Sequence, residues 1–390
     1  MPQQTACPTC AEPLEPDDVF CGACGMNLAA PEIAPPTEPD FLLPPAAAGP
    51  GCVHCGSAQL AADGYCEACG GAQPRPRDHM ERSLEGVAGV SDRGVRHHRN
   101  EDSFTVAATS LPGGAPAVIA VVCDGVSSAS RPDEASQAAA DAASESLLSG
   151  LEQGLAPEPA MRRAILVAAE AVAALAYDGT NPEAGHNSPA CTLVSAVSTA
   201  GVVTVGWVGD SRAYWIPDDR ESAEPYRLTE DDSWAARMVA AGLMGEAEAY
   251  ADSRAHAITG WLGADAEEVE PHTAAFTPHV PGVLLICTDG LWNYAEAATS
   301  LADLVRADAR TDPLRAARAL VSFAVAAGGH DNITVAVLPV LPSATAGEPA
   351  EHADTLLDLP VIAPPPAPPA LPPLPPVPPL PPTVAGRQAL

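Results

Sequence analysis

The sequence contains no lysine: all 19 of its basic residues are arginine, against 50 acidic ones, for a formal charge of −31. So acidic a chain repels phosphate backbones and anionic headgroups, which argues against nucleic-acid and membrane-surface partners. The imbalance is not local. Residues 1–79 carry 2 bases and 10 acids, residues 80–342 carry 16 and 36, and residues 343–390 carry 1 and 4. Long apolar runs are also missing: the dense proline run near the C-terminus cannot be a membrane helix, and no other uncharged apolar stretch approaches the roughly 20 residues of a span. The opening Met-Pro-Gln-Gln-Thr has neither a basic nor an apolar leader segment, so the expected compartment is the cytoplasm.

Eight of the 11 cysteines fall in residues 1–72. Cys7, Cys10, Cys21 and Cys24 form two Cys-x-x-Cys knuckles, and Cys52, Cys55, Cys66 and Cys69 repeat the same spacing. Thiolates two residues apart grip one soft ion from the same turn, and four close a tetrahedron of Zn–S bonds of about 2.3 Å. Gly25, Gly56 and Gly70 follow the second cysteine of a pair, where the turn favours positive φ. Each module is too short to build a core, so the metal must supply its folding energy. The spacing therefore predicts two structural Zn²⁺ ions, with a disulfide framework as the alternative. A closed four-thiolate site has no catalytic vacancy, which makes this region a structural or docking module.

Composition divides the chain into ribbon 1 (1–30), a proline-rich linker (31–50), ribbon 2 (51–72), a Pro/Arg hinge (73–83), a central domain (84–341) and a proline-rich tail (342–390). The tail packs 14 prolines between Pro360 and Pro382, which fixes it as extended polyproline II rather than packed structure. It serves either as a spacer or as a ligand for an aromatic groove. In the central domain, Val118–Cys123, Val202–Val208, Val283–Cys287 and Ile333–Leu338 read as buried strands. Met161, Ile165, Ala168, Val172 and Leu175 recur at helical spacing on a segment that stops at Gly179. Further helices are expected from about Asp133 to Gly150 and from Asp312 to Ala327. Thr199-Ala200-Gly201 between two apolar runs predicts a hairpin. Hairpin-linked strands with separate helix pairs point to antiparallel sheets covered by helices, an α+β arrangement.

The chemistry is concentrated at strand ends. One strand runs into Asp124-Gly125, another through Thr288 into Asp289-Gly290, a third ends in Gly209-Asp210, and Asp331-Asn332 opens directly into a fourth. Glu101 and Asp102 add an adjacent acidic pair. Two carboxylates about 4 Å apart repel by roughly 1 kcal/mol in water and by several times that beside a low-dielectric wall. With no lysine to neutralise them, hard divalent cations are the natural counter-charge, and all-oxygen ligation selects Mg²⁺ or Mn²⁺.

These segments together resemble the metal-dependent serine/threonine phosphatases of type 2C. The likeness is carried by SDRGVRHHRNEDSF (91–104), VVCDG (121–125), VGDSRAYWI (208–216), LTEDDS (228–233), CTDGLWN (287–293) and GGHDNITVAVL (328–338). The resemblance implies a sandwich of two antiparallel β-sheets flanked by helix pairs, here preceded by two small zinc ribbons and followed by a disordered tail. It implies hydrolysis of phosphoserine or phosphothreonine in proteins by a metal-activated water, opposing a Ser/Thr kinase. By that likeness Asp124 bridges two Mn²⁺ or Mg²⁺ ions, the Gly125 carbonyl serves the second, and Asp289 with Asp331 completes the first. Glu101 reaches the second ion with Asp102 in support, and Asp210 joins Asp289 at a third position.

The chain departs from the family at several places. His97 stands where a phosphate-gripping Arg is usual, with Arg96 and Arg99 nearby. An imidazole holds phosphate only when protonated, so weaker, pH-dependent capture is one expectation and a solvent-facing His97-His98 pair the other. Val126-Ser127-Ser128 replaces Met-Gly-Gly, Asn293 replaces a common Asp, and Cys191 a common Thr. Cys123, Cys191 and Cys287 read as small core residues. The rival function is a pseudophosphatase, a scaffold that holds phosphoproteins without turnover and docks partners through its ribbons; a zinc-ribbon nucleic-acid binder would need a basic face that the charge distribution lacks.

Overall fold

The structure is a computed structural model and describes residues 51–53, 55–61, 64–70, 73–177, 188–266 and 268–342. Ribbon 1 with its four cysteines, the 31–50 linker, the Gly179 stop and the tail beyond residue 342 lie outside the described residues.

The strands in chain order are β1 (His79–Leu84), β2 (Val87–Asp92), β3 (Ser103–Ser110), β4 (Pro116–Cys123), β5 (Ala190–Cys191), β6 (Leu193–Thr199), β7 (Val202–Val208), β8 (Arg212–Pro217), β9 (Tyr226–Arg227), β10 (Leu262–Gly263), β11 (His272–Phe276), β12 (Gly282–Cys287) and β13 (Ile333–Val340). One sheet has the order β1-β2-β13-β12-β8-β9 and the other β11-β7-β6-β4-β3, while β5 and β10 form a short ribbon of their own. Every neighbouring pair is antiparallel. The helices are α1 (Pro132–Glu152), α2 (Pro157–Ala174), α3 (Trp234–Ala240), α4 (Glu246–Tyr250), α5 (Asp289–Trp292), α6 (Ala298–Leu304) and α7 (Pro313–Ala327). No helix among the described residues is long and apolar enough to cross a membrane.

The near-continuous apolar strands are explained by burial on both faces. Successive side chains of a strand point to opposite sides of its sheet. Along β4, Ile119, Val121 and Cys123 therefore join the core under α1 and α2, while Ala120 and Val122 join the core between the sheets. On β12, Leu285 and Cys287 face the α5–α7 side and Leu284 and Ile286 face the opposite sheet. The alanines of α1, Ala135, Ala139, Ala140 and Ala143, let that helix lie close to the sheet. The expected 199–201 hairpin is present: Thr199 pairs with Val202 around Ala200 and Gly201, both at positive φ, the geometry of a tight two-residue turn. The third helix starts as its sequence suggests, with Asp312 accepting from Arg315 N at 3.0 Å.

Two elements differ from the sequence reading. α1 runs through Gly150 to Glu152, because Gly150 sits against Leu155 and Ala160 where a larger residue would crowd the α1–α2 contact. The segment expected as a hinge carries a 3₁₀ turn (Pro76–Asp78) and then β1, which is held by its ladder to β2.

Gly206 on β7 supplies the notch that receives α2: a Cβ there would lie 2.3 Å from Met161 Cγ. Gly206→Val is expected to cost about 1–3 kcal/mol by overpacking. Chemical denaturation checks this, and Met161→Ala in the same chain should recover part of the loss, since the two side chains compete for one space.

Candidate active site and thiol quartet

Antiparallel pairing carries the acidic residues to one edge. Ser103 pairs with Cys123, so the start of β3 and the end of β4 bring Glu101-Asp102 and Asp124-Gly125 side by side. In the other sheet Cys287 pairs with Val335, which sets Asp289 beside Asp331. The two sheets are tied together at this rim, where Glu101 N donates to Asn332 Oδ1 at 2.6 Å and Asn332 Nδ2 donates to the carbonyl of Arg93 at 2.8 Å. Gly125 is required by close approach: a Cβ would meet the carbonyl oxygens of Pro132 at 2.5 Å and Glu101 at 2.6 Å.

The electrostatics of this rim are unfavourable by themselves. Burial, and then the charges of Asp102, Asp289 and Asp331, push Asp124 well above the ordinary carboxylate range. Burial, with Asp331 and Asp210, does the same to Asp289. Asp102 is pushed up to about 7 by burial, in spite of the hydrogen bonds it accepts. Those bonds come from the hydroxyls of Thr334 and Thr288, both to Oδ2, at 2.7 and 3.0 Å. Asp210 also rises to about 7, through burial and the charge of Asp231. Asp102 Oδ1 and Asp289 Oδ1 are buried, and the Asp124 carboxyl is a hydrogen-bond partner of both side chains. Buried carboxyls that must partner one another, with no cationic side chain among them, are a donor set that fits hard cations and poorly fits a purely structural role.

Other expected residues have specific partners. Arg99 Nε donates to Glu101 Oε1 at 2.8 Å and Ser127 Oγ to Glu101 Oε2 at 2.6 Å. Asn293 Nδ2 donates to Asp289 Oδ2 at 3.2 Å. His97 Nε2 lies 3.1 Å from Asp331 Oδ1, which also accepts from Asn332 N at 2.8 Å. Asp331 is thus turned toward His97, and the carboxylates are more widely spread than the thiols described below. Arg96, His97 and Arg99 line one cleft, with Glu101 and Ser127. Cys123, Cys191 and Cys287 are buried, as expected of core residues.

Sequence reasoning missed the support of Asp210. Arg212, fully buried on β8, pairs with Asp231 at 2.6 Å, and its guanidinium lies 3.7 Å from the Trp292 ring centroid. Trp292 Nε1 in turn donates to the Asp210 carbonyl at 3.0 Å. An arginine inside an apolar strand and an aspartate 19 positions later carry no local pattern that pairs them.

In ribbon 2, one ligand atom from each of Cys52, Cys55, Cys66 and Cys69 lies within 4.8 Å of all the others, the one such cluster among the described residues. Cys52–Cys69 and Cys55–Cys66 sulfur distances are both 3.6 Å. Gly56 N and Gly70 N donate to the Cys52 and Cys66 carbonyls, both at 2.8 Å, and both glycines have positive φ. Two equivalent knuckles facing each other fit one tetrahedral thiophilic ion.

Two antiparallel sheets flanked by helices thus carry an acidic rim at one edge. Residues 93–320 match the protein phosphatase 2C family, to which this chain belongs, and residues 7–70 match the double zinc ribbon. The serine/threonine phosphatase Stp of Listeria welshimeri is 29% identical over 149 residues, 38% of this chain and 56% of that protein. Protein phosphatase PhpP of Streptococcus pneumoniae is 33% identical over 132 residues, 34% of this chain and 50% of that protein. The chain thus spans about half the length of these relatives. The fold is shared with the crystal structure of the serine/threonine phosphatase Stp1 from Staphylococcus aureus, at a TM-score of 0.54 and 24% identity, covering 69% of this chain and 99% of that one. The same holds for the Mycobacterium tuberculosis phosphatase PstP/Ppp, at a TM-score of 0.51 and 24% identity over 65% and 97% of the two chains.

The raised Asp102 and Asp210 give a stability test. Their folded values lie near 7 against an unfolded value of about 3.9. Between those limits the folded chain holds protons that the unfolded chain has released, so stability falls as pH rises through the window. Chelated protein is expected to melt lower at about pH 8 than at about pH 5. Added Mn²⁺ is expected to recover the midpoint at the higher pH to the extent that the folded acidic rim holds it in preference to the unfolded chain. Thermal melts with and without chelator check both signs.

Proposed function

We propose that this chain is a metal-dependent protein-serine/threonine phosphatase that removes phosphate from phosphoserine and phosphothreonine, opposing a Ser/Thr kinase in the cytoplasm. The observation that carries the reading is the buried carboxyl cluster itself: Asp124 is the hydrogen-bond partner of both Asp102 and Asp289, and burial with the surrounding acids drives Asp124 and Asp289 well above the ordinary carboxylate range. Asp124, the Gly125 carbonyl, Asp289 and Asp331 would hold two Mn²⁺ or Mg²⁺ ions, Glu101 would serve the second, and Asp210 with Asp289 a third. Bound there, such ions supply Lewis acidity that activates water near neutral pH and offset the charge of the phosphoryl group.

The remaining work belongs to the chain. Ser127 and Arg99 fix both oxygens of Glu101. Thr288 and Thr334 orient Asp102 so that its second oxygen faces the pocket. Asn293 steadies Asp289. Arg96, His97 and Arg99 stand at the cleft and are the groups that would receive the phosphate oxygens. The ribbon quartets would hold two structural Zn²⁺ ions. The ribbons and the proline-rich tail are surfaces for protein partners.

The full chain is expected to release phosphate from a phosphothreonine peptide only with Mn²⁺ or Mg²⁺. Asp289→Asn should lower kcat roughly 100-fold or more, beyond the 10–100-fold typical of residues that merely support a ligand. Binding of the peptide without phosphate release in the native chain would instead identify a scaffold. His97→Arg replaces a conditional cation with a permanent bidentate one and should lower the KM for that peptide roughly two- to fivefold. An unchanged or higher KM would remove His97 from phosphate capture.

A further inference from the structure

The loop that bears Glu101 and Asp102 is held from behind by one side chain of the segment that follows ribbon 2. The Arg77 guanidinium donates to the carbonyls of Asn100, Asp102 and Asp133 at 3.0, 2.9 and 2.8 Å, and to Ser136 Oγ at 3.1 Å. Ser136 Oγ in turn donates to the Glu101 carbonyl. The carbonyls of residues 100, 101 and 102 are thus captured by Arg77 directly or through Ser136. Asn100 Nδ2 closes the arrangement by donating to the Arg77 carbonyl at 3.0 Å and to Ser91 Oγ at 2.8 Å. Asn100 and Asp102 are buried, so these acceptors need protein donors in a fixed array. The forked guanidinium supplies that array where the point charge of an ammonium could not.

The position of Arg77 is set in turn by the ribbon. Four residues earlier, Gln73 N donates to the Gly64 carbonyl at 2.8 Å, Gln73 Oε1 accepts from Val53 N at 3.0 Å, and Gln73 Nε2 donates to Cys52 Sγ at 3.2 Å. Between the two, Arg75 N donates to Asp78 Oδ2 and Asp78 N to the Arg75 carbonyl, both at 2.9 Å, around the 3₁₀ turn Pro76–Asp78. Asp78 O accepts from Arg93 N at 2.8 Å. The segment from the thiol quartet to the arginine is therefore pinned at both ends and wound between them, which leaves little slack to absorb a movement of the ribbon.

We propose that Arg77 is a positioning residue for the Glu101–Asp102 loop and couples the thiol quartet to the acidic rim: a zinc-filled quartet keeps Arg77 in register, and the loop then presents its carboxylates where the rim binds Mn²⁺ most tightly. This rests on the phosphatase reading above. The hydrogen bonds of the guanidinium go to main-chain oxygens, Ser136 and Gln137, so it acts by fixing the backbone from which Glu101 and Asp102 project. Without metal the ribbon is too small to hold itself folded, and Gln73 loses its anchor. Zinc occupancy then sets Mn²⁺ affinity and, by linkage, Mn²⁺ sets zinc affinity.

The test is Mn²⁺ binding to the full chain without substrate, read from the paramagnetic resonance of free Mn²⁺, with hydrogen exchange of residues 99–103. Arg77→Met is expected to weaken Mn²⁺ binding about tenfold, the lower end of what loss of a supporting partner costs. It should keep native zinc content, speed exchange in residues 99–103 while β12 stays protected, and regain kcat at saturating Mn²⁺. Cys66→Ser combined with Cys69→Ser, with zinc loss verified by a chromogenic chelator, should weaken Mn²⁺ binding by a similar factor. Adding Arg77→Met to that pair should cost nothing more, because both changes break one connection. Should Arg77→Met fail to fold, Arg77→Lys, which keeps the charge with fewer donors, takes its place with a smaller loss. Native Mn²⁺ affinity in the arginine variant or in the zinc-depleted one, losses that add when the two are combined, or a kcat that stays low at saturating Mn²⁺ overturns the inference and leaves the phosphatase reading standing. A native chain that binds no Mn²⁺ overturns that reading and this inference with it.

Discussion

The fold is organised around a repulsion. Antiparallel ladders in two sheets deliver Asp102, Asp124, Asp289 and Asp331 to one edge, where burial and mutual charge drive two of them far from their ordinary ionisation. Such a cluster costs several kcal/mol if each carboxylate must stay charged and unpaired. The surrounding structure does not relieve this with arginine. It provides two threonine hydroxyls that fix one oxygen of Asp102 and leave the other buried. The arginines stand outside, at the cleft, or are spent elsewhere, as Arg212 is on Asp231.

The rigid parts of the chain are devoted to holding this strained edge. Double-sided burial of β4, β12 and β13 gives three stiff elements whose ends cannot drift, because a one-residue slip would turn an apolar face to solvent. The Asn332 side chain then ties a loop of one sheet to a loop of the other. Arg212, Asp231 and Trp292 do the same for the loop of Asp210.

Much of this was legible from local pattern. The four apolar runs became strands β4, β7, β12 and β13, the 199–201 turn formed its hairpin, and Asp312 capped α7. The acidic residues could be found because each sits directly at a strand end, and the cysteines of ribbon 2 because their spacing encodes a knuckle. What stayed hidden depends on partners distant in sequence. The β1–β2 edge lacks a strong apolar alternation, with β1 only half-buried, so nothing in its residues marks it as a strand. His97 could be placed near phosphate chemistry, but its contact with Asp331 spans 234 positions and has no local signature. Arg77 lay in a segment whose Pro/Arg composition suggested slack, whereas its guanidinium is surrounded by carbonyls that only the folded chain assembles.

That arginine sets a practical limit on dissecting the molecule. Its guanidinium serves as a peg beneath the Glu101 loop and the first turn of α1, also donating to Gln137 Oε1 at 3.0 Å. Trimming the polypeptide at the visible start of β1 would discard the peg and leave three main-chain oxygens facing a void. A central domain isolated from its cysteine-rich N-terminal segment must therefore begin upstream of residue 77, or it will inherit a loosened floor that no defect in the acidic residues themselves would explain.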